Sequence, residues 1–382
     1  FESGGAGTRL MAWGIAYEAF KEYPLFGWGP NNYYYAFNLF YRPEFILYGL
    51  GETWFDNAHS TLFNTLAVRG ILGVVSYIAL FFFPIQALWK KRLDFKEDIF
   101  PVLTIAFLVG HFVHNIFVFE NITSYLYFFF TLAMVSSLCF NQKDMRVFKA
   151  KEVSLALMLI VLGSCFVIVH YTSFLPGRAN RLSARALRAL YQKNSLLFAE
   201  SVVVYPTHNI VDIRNDLVNA ILDRIPILFR ESKLGVAKNF LDFAKREVEK
   251  NMTIHKKDVR LMTSYAQIVA FQGALSNDPA YLQEAKKILQ EALGYSPKRQ
   301  QLFFILARAH QNLGENEQAL ERIKDAVYLE PREEESWWHY IVLLNEQNKI
   351  EDVRRVVLEA ESFGVVFNQK RRNLIDQILI QI

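Results

Sequence analysis

ILGVVSYIALFFFPIQALW, residues 71–89, contains no Asp, Glu, Lys or Arg. Three further stretches of the same kind follow at 99–119, 121–142 and 153–177. Each meets the roughly 20 predominantly apolar residues that a helix needs to cross a bilayer. Within lipid a helix satisfies every backbone group internally, which an irregular segment cannot do. The sequence therefore predicts four transmembrane helices, at about 62–89, 99–119, 121–141 and 153–175. Past Arg178 charged residues become dense and apolar positions recur at helical spacing, so the remainder reads as a water-soluble helical module. The overall 52% hydrophobic and 21% charged composition averages two unlike halves.

Loop charge sets the expected orientation. Lys90, Lys91, Arg92 and Lys96 make one basic connection, Lys143, Arg146, Lys149 and Lys151 another, and the short connection at Glu120 and Asn121 is acidic. Short basic loops stay in the cytoplasm. Residues before the first span and after the fourth are then expected outside it. Arg178, Arg181, Arg185, Arg188 and Lys193 at the outer end of the last span argue the other way, but two loops outweigh one flank and long domains translocate largely regardless of charge. The chain opens at Phe1 with no basic n-region and no cleavage pattern, which predicts a fragment with spans upstream. Cys139 and Cys165 both fall inside predicted spans and supply neither a disulfide framework nor a metal cluster.

In the soluble half, a spacing of 34 pairs Ala285 with Ala319 and Val353, Ala292 with Ala326 and Ala360, and Pro297 with Pro331. This is the tetratricopeptide period. Phe303, Leu306, Ala307, Gly314, Ala319, Ile323, Ala326 and Pro331 stand where that repeat places its bulky, small and terminating residues. A third copy opens at Trp337 and Trp338 and carries Val353 at a small position, as a degenerate cap would. Residues 276–382 are expected to form these repeats and 178–275 a less regular amphipathic region, with Leu234, Ala237, Phe240, Leu241 and Ala244 on one face. Stacked helix pairs suit a protein partner or serve as a spacer.

Residues 1–61 carry the remaining pattern. Arg9, Trp13 and Ala16 share helical spacing, Pro24-Leu25-Phe26-Gly27-Trp28-Gly29 forms a turn, and His59-Ser60 stands nine residues before Gly70-Ile71-Leu72-Gly73. With no strand before it and no third glycine, the turn is not a dinucleotide loop. Tyr33, Tyr34, Tyr35, Phe37, Phe40, Tyr41 and Tyr48 suit either stacking on sugars or an interfacial aromatic belt. His111 and His114 share a face of the second span without a nearby Asp, Glu or Cys, a weak metal set better read as structural hydrogen bonding. The sequons at Asn121 and Asn251 are short enough to arise by chance.

This combination resembles the O-antigen ligase and polymerase superfamily of bacterial membrane glycosyltransferases. Its signature joins an Arg followed by Trp, a Pro-Leu-x-Gly-x-Gly turn, and a His followed by Asn, Ser or Gln, nine residues and Gly-x-x-Gly. The resemblance covers about residues 3–90 and implies a GT-C-like helical bundle in the bacterial cytoplasmic membrane, followed here by an α-solenoid. It implies transfer of a glycan from a polyprenyl-diphosphate carrier to an acceptor hydroxyl of a glycan, lipid or protein, outside the cytoplasm. It implies a further arginine from upstream spans and no nucleotide sugar; no cofactor and no metal are expected. Arg9 is the expected diphosphate clamp, because a guanidinium fork binds its oxygens better than an ammonium. His59 is the expected base, since neutral imidazole titrates near neutrality and the following helix N-terminus disfavours imidazolium. Arg42, Arg69, Asn57 and Trp13 are candidate substrate-binding residues; Arg69 equally suits an interfacial anchor, and Asn57 or Ser60 an N-cap.

Two other classes compete: a membrane-anchored platform whose repeats recruit envelope partners, and a transporter for the same lipid-linked glycans. An anchor needs neither Arg9 nor His59, and a transporter is expected to line its spans with charge. Membrane lipids are expected contacts in every case, and nucleic acid in none. For the orientation, a cysteine at Lys91 is expected to resist an impermeant thiol reagent in intact cells while one at Glu315 reacts; the reverse pattern overturns it.

Overall fold

The computed structural model describes residues 4–91, 99–139 and 154–380. Of the basic loop residues, Arg92, Lys96, Lys143, Arg146, Lys149 and Lys151 lie outside the described residues. The described elements are all helical, so the expected all-α class holds, and the chain divides into two compact units, 1–150 and 151–382.

In the first unit, α1 (Gly4–Glu22) presents Ala12, Ile15, Ala16 and Ala19 along one buried face. The three alanines at helical spacing let α2 (Tyr33–Leu39) and α3 (Thr61–Lys91) approach closely. Two 3-10 turns, Pro43–Tyr48 and Leu50–Thr53, bridge α2 to α3. Tyr33, Phe37, Tyr41, Phe45 and Phe55 fill the core beneath them. Tyr33, Phe37 and Tyr41 are thus interior, against both sequence readings for these three rings, whereas Tyr48 is exposed. Burial of the Tyr33 ring pushes its phenol well above the usual range, and its hydroxyl donates to the Ala12 carbonyl at 2.7 Å.

Three helices of this unit are long and apolar enough to cross a membrane: α3, α4 (Phe100–Phe117) and α5 (Ile122–Cys139). Most of their apolar side chains face outward, as lipid contact requires, around a small centre of Phe81, Leu108 and Phe128. α3 is broken at Gly70, whose φ of 62° and ψ of −162° are not helical. Residues 71–89 beyond the break measure about 28 Å at 1.5 Å per residue, the thickness of the hydrocarbon core. Ahead of it, Thr65, Ala67 and Val68 are buried against the rest of the unit.

A break strands carbonyls and amides that helix geometry would have paired. The turn at 24–29 takes them up. Trp28 N donates to the Ala67 carbonyl at 3.0 Å and Gly29 N to Val68 at 2.9 Å, while Ile71 N donates to Pro24 at 2.8 Å and Leu72 N to Leu25 at 3.4 Å. The two backbones are so close that a Cβ on Gly27 would lie 2.5 Å from Arg69 N, and one on Gly70 2.5 Å from the Leu25 carbonyl. The sequence pattern thus consists of two glycine motifs that interlock.

In the second unit α6 (Leu155–Val169), a π turn at His170–Phe174 and α7 (Leu175–Lys193) form one continuous helix, the fourth apolar enough to span. Beyond the span it becomes amphipathic, burying Ala179, Ser183, Ala186 and Leu190 against α8 (Leu197–Val202) and α9 (Ile210–Arg230). Next come α10 (Leu234–Ile254), α11 (Val259–Ser276), α12 (Pro279–Tyr295), α13 (Gln300–Asn312), α14 (Asn316–Leu329), α15 (Glu334–Glu346) and α16 (Ile350–Ser362), each packed on its neighbour. All six residues paired by the 34-residue offset at the small positions, Ala285, Ala319, Val353, Ala292, Ala326 and Ala360, are fully buried between helices. Asn251 is also buried and hydrogen-bonded to Asn215 and Val211, which accounts for that sequon structurally. α17 (Gln369–Leu379) closes the stack through Ile375, and Arg371 pairs with Glu334 and Glu335.

Gly70→Ala is expected to cost about 1–3 kcal/mol, because it forces a side chain into a glycine-only conformation and into the Leu25 backbone. Gly110→Ala, a helical position with nothing within 4 Å, is the control expected to leave stability unchanged or higher. Thermal unfolding in one detergent compares them.

Candidate active site

His59 sits two residues before α3, in the left-handed region at φ 49°. Such a conformation costs a side-chain-bearing residue roughly 1–2 kcal/mol. Asn57 supports it by accepting the His59 amide on Oδ1 at 2.8 Å, while its Nδ2 donates to Asp56 at 2.9 Å. Ser60 is the N-cap, accepting Phe63 N at 3.3 Å, and Asn64 accepts Ala58 N at 3.4 Å. Asn57 therefore shapes the backbone and Ser60 caps α3.

The imidazole itself lies between two phenyl rings, meeting Phe55 at 5.1 Å and Phe119 at 5.5 Å, both edge to face. Partial burial of the ring, and then the Arg9 guanidinium nearby, hold His59 below the usual histidine pKa. The carboxylates of Asp56 and Glu52 pull the other way. The sequence argument from the helix terminus gave the same direction; burial is the larger cause. The result is a neutral imidazole at neutral pH, the form that accepts a proton.

Arg9 reaches this point from α1, with its exposed side chain donating through Nη1 to the Phe117 carbonyl at 3.3 Å. Phe117 ends α4 and Phe119 follows two residues later, so one short connection touches both Arg9 and His59. Trp13, one turn along α1, stacks on Phe63 at 4.9 Å with an interplanar angle of 11° and also meets Phe117 at 6.0 Å. It ties α1, α3 and α4 together beneath the pair. Residues fifty positions apart in sequence thus act on one another through space.

Comparison with known families bears on this same segment. Residues 1–78 match the family model described as O-antigen ligase. The N-terminal segment is thus similar to the O-antigen ligase family. Residues 282–357 match the tetratricopeptide repeat model. Among solved structures, the chain is similar to a thermophilic tetratricopeptide-repeat protein of Thermus thermophilus, at 14% identity over 52% of this chain and 99% of that one, with a TM-score of 0.36. It is also similar to the MamA RS-1 ArsTM double mutant, at 13% identity over 49% of this chain and 94% of that one, with a TM-score of 0.32. No curated protein matches the chain.

The first unit does not gather every residue of the sequence reading. Arg42 lies against α1, its Nη2 2.7 Å from where a Cβ on Gly14 would stand, and its charge acts on Tyr33. Arg69 is exposed at the break in α3. Neither is among the charged groups that act on the His59 ring. None of Arg9, Arg42 and Arg69 forms an ion pair among the described residues.

The sequence reading also placed no acid near His111, and the structure corrects this. Glu120 folds back from the α4–α5 connection so that its Oε1 stands 3.1 Å from His111 Nε2, with both side chains nearly buried. Asn115 Nδ2 donates to Glu120 and, at 3.0 Å, to Tyr77 Oη. His114 is exposed and takes no part. Asn121 accepts Ser124 N at 2.9 Å while Asn121 N donates to Ser124 Oγ at 2.8 Å, a reciprocal cap that accounts for the other sequon. Sequence spacing hid Glu120 because it was counted as a loop charge; its place at the end of a charge-free run was the available signal.

Arg9→Gln is expected to raise the His59 pKa, and Asp56→Asn to lower it, because the first removes a nearby cation and the second an anion. The pH dependence of carbethoxylation at His59, read by peptide mass spectrometry, measures the shift. Since the folded value lies below the unfolded one of about 6.5, this ring's contribution to stability is complete above that pH and is lost as pH falls through the folded value.

Proposed function

We propose that the chain is a membrane glycosyltransferase that moves a glycan from a polyprenyl-diphosphate carrier to an acceptor hydroxyl, as an O-antigen ligase or polysaccharide polymerase does. The observation that carries the proposal is the convergence of Arg9 and His59 within a segment that matches the O-antigen ligase family. The two residue types suit the two charges that the reaction must manage.

In this reading His59 accepts the proton of the acceptor hydroxyl as its oxygen forms a bond to the anomeric carbon. The bond from that carbon to the diphosphate oxygen breaks, and the diphosphate leaves with the electron pair. Arg9 stabilises the growing negative charge with a pair of hydrogen bonds. The lowered pKa supports the base assignment, because the ring is already neutral when the acceptor arrives. Asn57 holds the His59 backbone in its left-handed turn, and Trp13 supports the helix that carries Arg9. The site faces the extracytoplasmic side of the bacterial inner membrane under the loop-charge orientation, with the repeats on the same side as a surface for a protein partner.

His59→Ala is expected to lower transfer by a hundredfold to ten-thousandfold, on the order of what a positioned base contributes. Arg9→Lys is expected to fail as well, since a point charge does not replace the planar fork. Full-length protein in membranes, given a polyprenyl-diphosphate glycan and an acceptor, provides the assay. Near-parental transfer by folded His59→Ala protein removes His59 from the mechanism.

A further inference from the structure

The α4–α5 connection meets the candidate site with consecutive residues. The Phe117 carbonyl accepts Arg9 Nη1 at 3.3 Å. Val118 accepts both Thr61 N at 3.0 Å and Thr61 Oγ1 at 3.1 Å, which fixes the connection to the start of α3. Phe119 places its ring 5.5 Å from that of His59. The fourth residue, Glu120, turns the opposite way, into the bundle.

There its carboxylate collects donors from two helices. Asn115 on α4 and Ser124 on α5 donate to it, and His111 on α4 stands 3.1 Å away. Asn115 in turn reaches Tyr77 on α3. An ionised carboxylate accepts several hydrogen bonds at once, whereas an amide of the same shape would turn its NH2 toward donors or lose an acceptor. Taking such a group out of water costs free energy that an apolar residue would not, so a buried acid at the outer rim of apolar spans needs a reason to be there. The reason on view is mechanical: this anchor ties α3, α4 and α5 to the connection whose Phe117 touches Arg9 and whose Phe119 touches His59.

We propose that Glu120 is a positioning residue for glycan transfer: held by His111, Asn115 and Ser124, it fixes the 117–120 connection that keeps the Arg9 guanidinium and the His59 ring in register. This rests on the reading of Arg9 and His59 given above. Loss of the carboxylate frees Phe119 from the His59 ring and the Phe117 carbonyl from Arg9, while both functional side chains remain present. The defect is one of geometry, and displacements on the order of 1 Å at a reacting centre lower rates by about a hundredfold.

The test uses full-length protein carrying Glu120→Gln, Glu120→Asp or His111→Gln, with thermal unfolding as the control for folding. Two readouts are taken. The first is the carbethoxylation rate of His59 relative to the exposed His208, which needs no substrate. Glu120→Gln and His111→Gln are expected to raise it several-fold, and Glu120→Asp to restore much of the parental rate. The second is the transfer reaction, where kcat is expected to fall by about tenfold to a hundredfold with acceptor KM little changed, and Glu120→Asp again to recover part. Folded Glu120→Gln protein with parental His59 reactivity and parental kcat overturns the proposal and leaves a purely structural pair. If Glu120→Gln does not fold, His111→Gln decides by the same readouts. If the parent itself shows no transfer, the functional reading falls, while the His59 modification rate still decides whether Glu120 positions the ring.

Discussion

The first unit depends on a helix that is broken and then repaired by another segment. Gly70 interrupts α3, and the turn at 24–29 supplies the partners that the interrupted helix lacks. Beside an apolar span, an unpaired backbone amide or carbonyl costs several kcal/mol. Four such groups find partners across this one junction. The junction also sets where the arm of α3 that carries Ser60 at its N-cap leaves the bilayer-length portion, and so where His59 stands relative to α1.

A second consequence follows from how the arm is held. α1 packs on it through Ala12, Ile15, Ala16 and Ala19, and the aromatic core of Tyr33, Phe37, Tyr41, Phe45 and Phe55 fills the space between. A rigid, well-packed platform lies under an exposed arginine and a half-buried histidine. Of the rings that sequence alone offered as sugar platforms, Tyr33, Phe37 and Tyr41 are committed instead to carrying the site. Phe55 does both: it belongs to this core and meets the His59 ring. The electrostatics follow from the same arrangement, since burial and the Arg9 guanidinium act on the imidazole in the same direction.

The repeats obey a different rule. Their stability comes from local pairing of neighbours, each helix burying a stripe against the next. Ala319, Ala326 and Ala360 lie at zero exposure because a larger side chain would separate helices that must touch. Among the described residues of the first unit no such period recurs, and its contacts join α1, α3, α4 and α5 across long stretches of sequence. Hydrophobic periodicity therefore read the repeats residue by residue and the first unit only as spans and motifs.

The sequence by itself determined what rests on local chemistry: charge-free runs long enough to span, a 34-residue period of small residues, and the spacing of two glycine motifs around an arginine and a histidine. These are legible because each is enforced within one or two helical turns or by the thickness of a bilayer. Tertiary structure alone decided that the glycine motifs interlock, that Tyr33 and Phe37 face inward, and that Phe119 reaches His59. It also decided that Glu120 leaves the loop to join His111. Those facts depend on which segments meet across the bundle, and the free energy of such contacts is set by partners tens of residues away, which no local pattern encodes.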